Sequence, residues 1–103
     1  MDTLDLSNER KFLSDNTKAV VMFTASWCGP CKTLKPKFKA LSESEQGAAF
    51  GMCDVEESGD LVRDLNIQGV PTVVAFHQGQ EVGRSVGADE KGLKALVDDL
   101  VGR

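Results

Sequence analysis

The chain has 103 residues, of which 41% are hydrophobic, and carries a formal net charge of −4. This length and composition fit one domain with a buried core over residues 1–103. The acidic balance argues against nucleic acid as a partner, and no apolar run approaches the length that spans a membrane. The acidic N-terminal segment lacks the basic-then-apolar layout of a secretory signal, so we expect a cytoplasmic protein.

The N-terminal quarter of the chain predicts a strand, a helix and a second strand. Residues 3–6 are predicted as a short strand, and Ser7 or Asn8 is suited to cap a helix that ends at residues 15–16. Residues 19–25 are apolar almost throughout, which is typical of a strand covered on both faces.

The middle of the chain predicts a long helix, a strand and a short helix. The sequence from Lys32 onward has apolar residues at helical spacing. Pro36 lies inside this helix and is expected to kink it, because its ring removes one backbone hydrogen bond. Residues 48–55 are predicted as the third strand, and Ser58 as the cap of a short helix that carries residues 61–65.

The C-terminal third predicts a hairpin and a final helix. Residues 72–76 and 81–86 form two predicted strands, and residues 77–80 form the turn between them. Asp89 is predicted to begin the last helix. Its apolar stripe consists of Leu93, Leu96, Val97, Leu100 and Val101.

A pair of cysteines lies where the second strand meets the long helix, in the sequence Trp27-Cys28-Gly29-Pro30-Cys31. A thiol there is close to unpaired N–H groups and to the positive end of the helix dipole. Both favour the thiolate, which is the nucleophile of disulfide exchange. The spacing lets the second cysteine attack a mixed disulfide formed by the first. We therefore predict Cys28 as the nucleophile and Cys31 as the resolving thiol.

The order of elements, with this pentapeptide at the end of the second strand, resembles the thioredoxin family over nearly the whole chain. Further matching positions are Lys32, Pro36, residues 69–72, Gly79 and residues 86–87. The resemblance implies an α/β thioredoxin fold, a mixed five-stranded sheet flanked by four helices in the order βαβαβαββα. It also implies a cis peptide bond between Val70 and Pro71.

The resemblance also implies an activity. A member of this family is a thiol-disulfide oxidoreductase that reduces protein disulfides, binds no cofactor and receives electrons from NADPH through a thioredoxin reductase. We expect a monomer that closes a redox disulfide between Cys28 and Cys31. The surface implied for substrate binding consists of Trp27, Gly69, Val70, Pro71, Gly87 and Ala88. The residues expected to tune the thiols are Gly29, Pro30, Met22 and Lys32.

Two positions depart from the family pattern. The family has a buried aspartate six residues before the first cysteine, and here that position is Met22. The lysine that pairs with this aspartate in bacterial members aligns with Met52. Apolar replacement of a buried ion pair is often neutral for stability or stabilising. We hypothesise that Cys31 has lost its internal base. Thr24 stands where many members have tryptophan, and we expect it to alter packing near the site.

Other interpretations remain open at this point. Besides a disulfide reductase, the chain could be a thioredoxin-fold binding or scaffold module, which weakened proton transfer would suit. A third possibility is an oxidase or isomerase, which the Gly29-Pro30 pair disfavours. A zinc site would need ligands beyond Cys28 and Cys31, and only Cys53 and His77 remain among thiols and imidazoles. Cys53 is expected to be a buried core residue.

Overall fold

The computed structural model describes residues 1–103 as a five-stranded sheet between two pairs of helices. In chain order the elements are β1 (Asp2–Leu4), α1 (Glu9–Asp15), β2 (Lys18–Thr24), α2 (Gly29–Ser44), β3 (Ala49–Asp54), α3 (Leu61–Asp64), β4 (Thr72–His77), β5 (Gln80–Val86) and α4 (Glu90–Val101). The predicted fold class and element order are confirmed. No helix of the chain is long and apolar enough to cross a membrane.

The sheet is mixed, with the spatial order β1-β3-β2-β4-β5. β3 pairs in parallel with β1 and β2, since helices connect these strands, whereas β4 pairs antiparallel with β2 and β5. A two-residue turn joins β4 to β5. Its residues, Gln78 and Gly79, have φ values of 55° and 80°, as this tight hairpin geometry requires.

Alternation along β2 divides the core into two clusters. Val20 and Met22 point to one side of the sheet, where α2 and α4 pack and where Cys31 is buried. Val21 and Phe23 point to the other side, where α1 and α3 pack and where Cys53 is buried. We call these two sides the Cys31 face and the Cys53 face. β2 is therefore covered on both sides, as its continuous apolar run predicts.

Several predicted element boundaries differ from the structure by one to three residues, and two of the differences have identifiable reasons. β1 ends at Leu4 and not at residue 6, because the Asp5 N–H bonds to the Asn8 side chain at 2.8 Å and turns the chain away from the sheet. The N-cap position of α3 is Asp60 and not Ser58. The Ser58 hydroxyl nevertheless accepts the Val62 N–H at 3.3 Å, so it still bonds to the helix start.

The long helix α2 begins three residues earlier than Lys32 and runs without a break through Pro36 to Ser44. Its first turn contains Pro30, where a missing N–H removes no helical hydrogen bond. At the other end of the chain, α4 begins as predicted after Asp89, whose carboxylate accepts the Gly92 N–H at 2.9 Å. These two helix starts are fixed by residues that the sequence identifies.

Candidate active site

Cys28 occupies the N-cap position of α2, immediately after the loop that leaves β2. Its backbone is extended, and its N–H donates to the Ala25 carbonyl at 3.1 Å, which holds the loop closed. Its Sγ accepts the Cys31 N–H at 3.2 Å. An N-cap sulfur thus takes the place that a serine or aspartate oxygen usually fills. Negative charge on this sulfur would be stabilised by the N–H and by the helix dipole.

Cys28 and Cys31 form a disulfide with their Cα atoms 5.4 Å apart. Cys28 keeps 4% of its surface exposed and Cys31 none. Cys28 is therefore the more exposed of the two residues, although the difference is small. Both residues belong to the core cluster of the Cys31 face, and only Cys28 reaches the surface.

The residues between and beside the cysteines are open to solvent. Gly29 and Pro30 are exposed, and a Cβ on Gly29 would meet no atom within 4 Å. Lys32 is exposed and forms no ion pair. Trp27 leaves 70% of its surface exposed, although it is among the most apolar side chains of the chain. A large exposed apolar side chain beside a reactive group is typical of a binding surface.

The segment that precedes β4 lies against the segment that follows β5. The peptide bond between Val70 and Pro71 is cis, as the family resemblance implies. The Gly87 N–H donates to the Pro71 carbonyl at 2.8 Å. Gly87 has a φ of 89°, which favours glycine. The structure thus brings together two segments that sequence reasoning assigned to one surface, and Ala88 follows them in an exposed position.

A shallow groove runs beside Trp27 and includes part of the predicted binding surface. Its lining residues are Trp27, Val55, Val62, Ile67, Gln68, Gly69 and Val70. Sequence reasoning missed four of these positions: Val55, Val62, Ile67 and Gln68. The available signal was the apolar side chains of Val62 and Ile67, in and just after the short helix α3.

The floor beneath the disulfide carries no charged side chain. Met22 and Met52 lie directly opposite each other in the parallel register of β2 and β3. Met22 is fully buried in the cluster that holds both cysteines, and Met52 packs against that cluster. The two positions that the sequence analysis linked are therefore neighbours. Apolar packing occupies the place where the resemblance implies an ion pair.

The third cysteine, Cys53, is buried on the opposite side of the sheet and is separate from the disulfide. Burial raises the pKa of the Cys53 thiol to about 11, from an ordinary value of 9.0. A hydrogen bond to Ser58 lowers this pKa, whereas the negative charges of Glu9 and Asp54 raise it further. The prediction of a buried core cysteine is confirmed, and its thiol is unreactive at neutral pH.

Sequence reasoning also missed Glu9, a carboxylate with only 1% of its surface exposed. One of its oxygens accepts the Ser58 hydroxyl at 2.8 Å, and the other accepts the Leu61 N–H at 3.1 Å. Glu9 therefore links α1 to the start of α3 and lies near the Cys53 thiol. A glutamate in the first turn of a helix usually faces solvent, so the sequence gives little sign of this role.

Comparison with known proteins agrees with this geometry. The Thioredoxin family profile matches residues 3–99. Thioredoxin-3, mitochondrial, of Saccharomyces cerevisiae is 34% identical over 96 residues, which cover 93% of this chain and 76% of that protein. Thioredoxin of Homo sapiens is 40% identical over 82 residues, covering 80% and 78%. The crystal structure of oxidized Saccharomyces cerevisiae mitochondrial thioredoxin 3 superposes with a TM-score of 0.89 at 34% identity, covering 97% of this chain and 95% of that one.

Proposed function

This chain belongs to the thioredoxin family and is a thiol-disulfide oxidoreductase, and we propose that Cys28 is its nucleophile and Cys31 its resolving thiol. The observation that carries these roles is the N-cap position of Cys28, whose sulfur accepts the Cys31 N–H. Gly29 and Pro30 shape the turn between the thiols, and the exposed Lys32 adds positive charge nearby. Met22 forms the apolar floor.

The first step breaks the substrate disulfide. The Cys28 thiolate attacks one substrate sulfur, so that a Cys28–substrate S–S bond forms and the substrate S–S bond breaks. The second substrate sulfur leaves as a thiolate and takes a proton from water. The Cys31 N–H supports this step because it stabilises the attacking thiolate before the bond forms.

The second step releases the substrate. Cys31 loses its proton and attacks the Cys28 sulfur, forming the intramolecular disulfide and breaking the mixed one. The substrate sulfur that was bonded to Cys28 leaves as a thiolate and is protonated by water. The substrate has then gained two electrons and two protons, and the two cysteines have been oxidised to the state that the structure describes.

For substrate binding we propose the surface formed by Trp27, Gly69, Val70, Pro71, Gly87 and Ala88. The backbone N–H and C=O of Val70 have no hydrogen-bond partner within the chain. Unpaired groups of this kind are suited to pair with an extended segment of a substrate protein, while the exposed indole of Trp27 supplies apolar contact.

For the electron supply we propose NADPH, acting through a thioredoxin reductase. We further propose that the protein is a monomer located in the cytoplasm. A coupled assay with a reductase and NADPH tests the first proposal, and sedimentation tests the second. Fractionation of the cells that produce the protein tests the location. The alternative location is the mitochondrion, because the yeast relative is named mitochondrial.

Insulin reduction with dithiothreitol tests the proposed cysteine roles. We expect the unaltered protein to accelerate insulin reduction, and Cys28→Ser to abolish the acceleration because the nucleophile is gone. Cys31→Ser should hold insulin as a mixed disulfide through Cys28, visible as a mass increase on non-reducing gels that dithiothreitol reverses.

Two results would contradict these roles. Trapping of substrate by Cys28→Ser instead of Cys31→Ser would exchange the two cysteines. The second result is an unaltered protein that is inactive in both assays, with dithiothreitol and with NADPH and thioredoxin reductase. In that case a binding or scaffold role would replace the proposed disulfide-reducing activity.

A further inference from the structure

Thr72 is a buried polar residue whose hydroxyl bonds to the loop that lines the groove beside Trp27. Only 2% of its surface is exposed. Its hydroxyl donates to the Gly69 carbonyl at 2.7 Å, a usual length for a hydrogen bond between two oxygens. Thr72 is the first residue of β4, where it pairs with Phe23 of β2 and with Val86 of β5. The sheet therefore fixes this donor on both sides.

The carbonyl that accepts this hydrogen bond shares a peptide plane with the N–H of Val70. The Gly69–Val70 peptide bond is trans. In a planar trans peptide the C=O and the N–H point in opposite directions. Because the Gly69 carbonyl points at the Thr72 hydroxyl, the Val70 N–H points away from it. One side-chain hydrogen bond thus sets the direction of a backbone donor.

The Val70 N–H is free and open to approach, although the loop around it is fixed. It has no hydrogen-bond partner within the chain. On one side of Val70 the Gly69 carbonyl is held by Thr72, and on the other side the Pro71 carbonyl accepts the Gly87 N–H at 2.8 Å. The Val70 side chain packs against both core clusters. A Cβ on Gly69 would meet no atom within 4 Å, so nothing in the chain covers this segment there.

A fixed, free N–H beside a small apolar groove fits the backbone of an extended protein segment. The groove that contains Trp27 and Val70 has a volume of about 290 Å³. Pockets for small molecules usually measure about 300–1,000 Å³, so this groove fits a side chain and not a bound cofactor. A segment that places a side chain there presents its own carbonyls to the loop, as in strand addition. In a helical segment those carbonyls are already paired. The site therefore favours disulfides that lie in extended segments.

Building on the proposed substrate surface, we propose that Thr72 is a positioning residue for substrate binding. Through the Gly69 carbonyl it directs the Val70 N–H at a backbone carbonyl of an extended substrate segment next to the disulfide. Thr72 is buried and does not itself touch the substrate. Without its hydroxyl, the carbonyl of the exposed Gly69 can bond to water, and the peptide plane is free to turn. The donor then loses its direction while the fold is kept.

The reaction of the reduced protein with two disulfides tests this role. One is the symmetrical disulfide of a short extended peptide with a central cysteine. The other is bis(2-hydroxyethyl) disulfide, which has no carbonyl group. We expect Thr72→Val, which keeps the shape and removes the hydroxyl, to lower the second-order rate constant for the peptide disulfide about five- to tenfold, the upper range for one hydrogen bond. The rate constant for the small disulfide should stay unchanged. Thr72→Ser keeps the hydroxyl and should restore the reaction with the peptide.

Peptides that lack one carbonyl identify the contact through which Thr72 acts. In a series of peptide disulfides, the peptide bonds nearest the cysteine are replaced one at a time by an E-alkene, which keeps the extended shape but has no carbonyl oxygen. At the position that pairs with Val70, the unaltered protein should lose about the same factor as Thr72→Val loses with the parent peptide. Thr72→Val should lose nothing further there, because two changes to one contact are not additive. At the other positions Thr72→Val should keep its full effect.

Several results would overturn the proposal. Native rate constants for both disulfides in Thr72→Val would show that the hydroxyl is not needed. Equal losses for the two disulfides, or a loss that Thr72→Ser does not restore, would assign Thr72 a purely structural role. Additive losses at every alkene position would show that Thr72 does not act through a substrate carbonyl.

Failure of the proposed function itself looks different, because the unaltered protein would then react with neither disulfide. Urea unfolding of each variant verifies that it is folded. Thr72→Ala removes the same hydroxyl and takes the place of Thr72→Val if the valine variant does not fold.

Discussion

The two faces of the sheet show how one residue type acquires opposite chemistry. Cys28 and Cys53 are both buried, so burial does not separate them. Cys28 lies at a helix start, where a backbone N–H points at its sulfur. Cys53 lies within a strand near two carboxylates, and burial together with their charge raises its pKa to about 11. The sulfur of Cys28 thus has a backbone donor that favours a thiolate, whereas burial, with a smaller contribution from the carboxylates, keeps the Cys53 thiol protonated.

The two faces also treat buried polar groups differently. On the Cys53 face the one buried charge, Glu9, is fully hydrogen-bonded and joins α1 to α3. On the Cys31 face there is no buried charge, and the single buried hydroxyl, that of Thr24, is left unpaired. A buried polar group with hydrogen-bond partners contributes to stability, whereas an unpaired one lowers it. The comparison predicts that perturbing the Cys53 face changes stability and perturbing the Cys31 face changes activity.

The largest effect expected on the Cys53 face is a loss of stability at high pH. Below about pH 9 the Cys53 thiol is protonated in both the folded and the unfolded chain, so it contributes no pH dependence. Between pH 9 and 11 the unfolded chain releases this proton while the folded chain retains it, because the folded pKa is raised to about 11 from 9.0. The free energy of unfolding should fall by about 2 to 3 kcal/mol over this window.

Urea unfolding of the oxidised protein measures this loss, since Cys28 and Cys31 do not titrate as a disulfide. Cys53→Ala is the matched control because it removes the titrating thiol and leaves every lysine in place. The difference in pH dependence between the two proteins isolates Cys53. Parallel pH profiles for the two proteins would show that the carboxylates and burial do not hold the thiol protonated.

A somewhat smaller effect is expected from Glu9→Gln. Glutamine has one acceptor oxygen, whereas both oxygens of Glu9 accept hydrogen bonds, from Ser58 and Leu61. The amide nitrogen would therefore face a donor, and the free energy of unfolding at pH 7 should fall by about 2 kcal/mol. Insulin reduction per folded molecule should stay unchanged. Glu43→Gln, at an exposed position without an ion pair, controls for the loss of a negative charge. Equal stability of the two variants would show that the hydrogen bonds of Glu9 do not stabilise the fold.

The elements and the redox pair were predictable because their signals are local. Strand and helix periodicity, the turn at Gln78 and Gly79, and the cysteine spacing each lie within a few neighbouring residues. The neighbouring placement of Met22 and Met52 follows from strand register, and the alignment anticipated it.

The missed role of Glu9 and the misplaced cap of α3 depend on contacts between distant parts of the chain. Glu9 accepts hydrogen bonds from Ser58 and Leu61, which lie 49 and 52 positions further along the chain, so no local pattern indicates its burial. The same bond explains the misplaced cap of α3, because Glu9 accepts the Leu61 N–H that a local cap would satisfy. Thr24 was expected to affect packing alone. Its hydroxyl is in fact buried and unpaired, which no local pattern of the sequence indicates.

The smallest effect on stability, and a selective effect on activity, is expected from Trp27→Ala. With 70% of its surface exposed, Trp27 contributes little to the core, and the free energy of unfolding should change by no more than about 0.5 kcal/mol. Exposed tryptophans at binding surfaces often supply a large share of contact energy, so kcat/KM for insulin should fall by about tenfold.

Leu6→Ala is the matched control because Leu6 is equally exposed, at 70%, but lies after β1. The reaction of Cys28 with a small disulfide such as 5,5′-dithiobis(2-nitrobenzoate) needs no protein contact and should keep its rate in both variants. Equal losses for the small and the protein disulfide would mean that Trp27 acts on the thiol itself and makes no separate contact with the substrate protein.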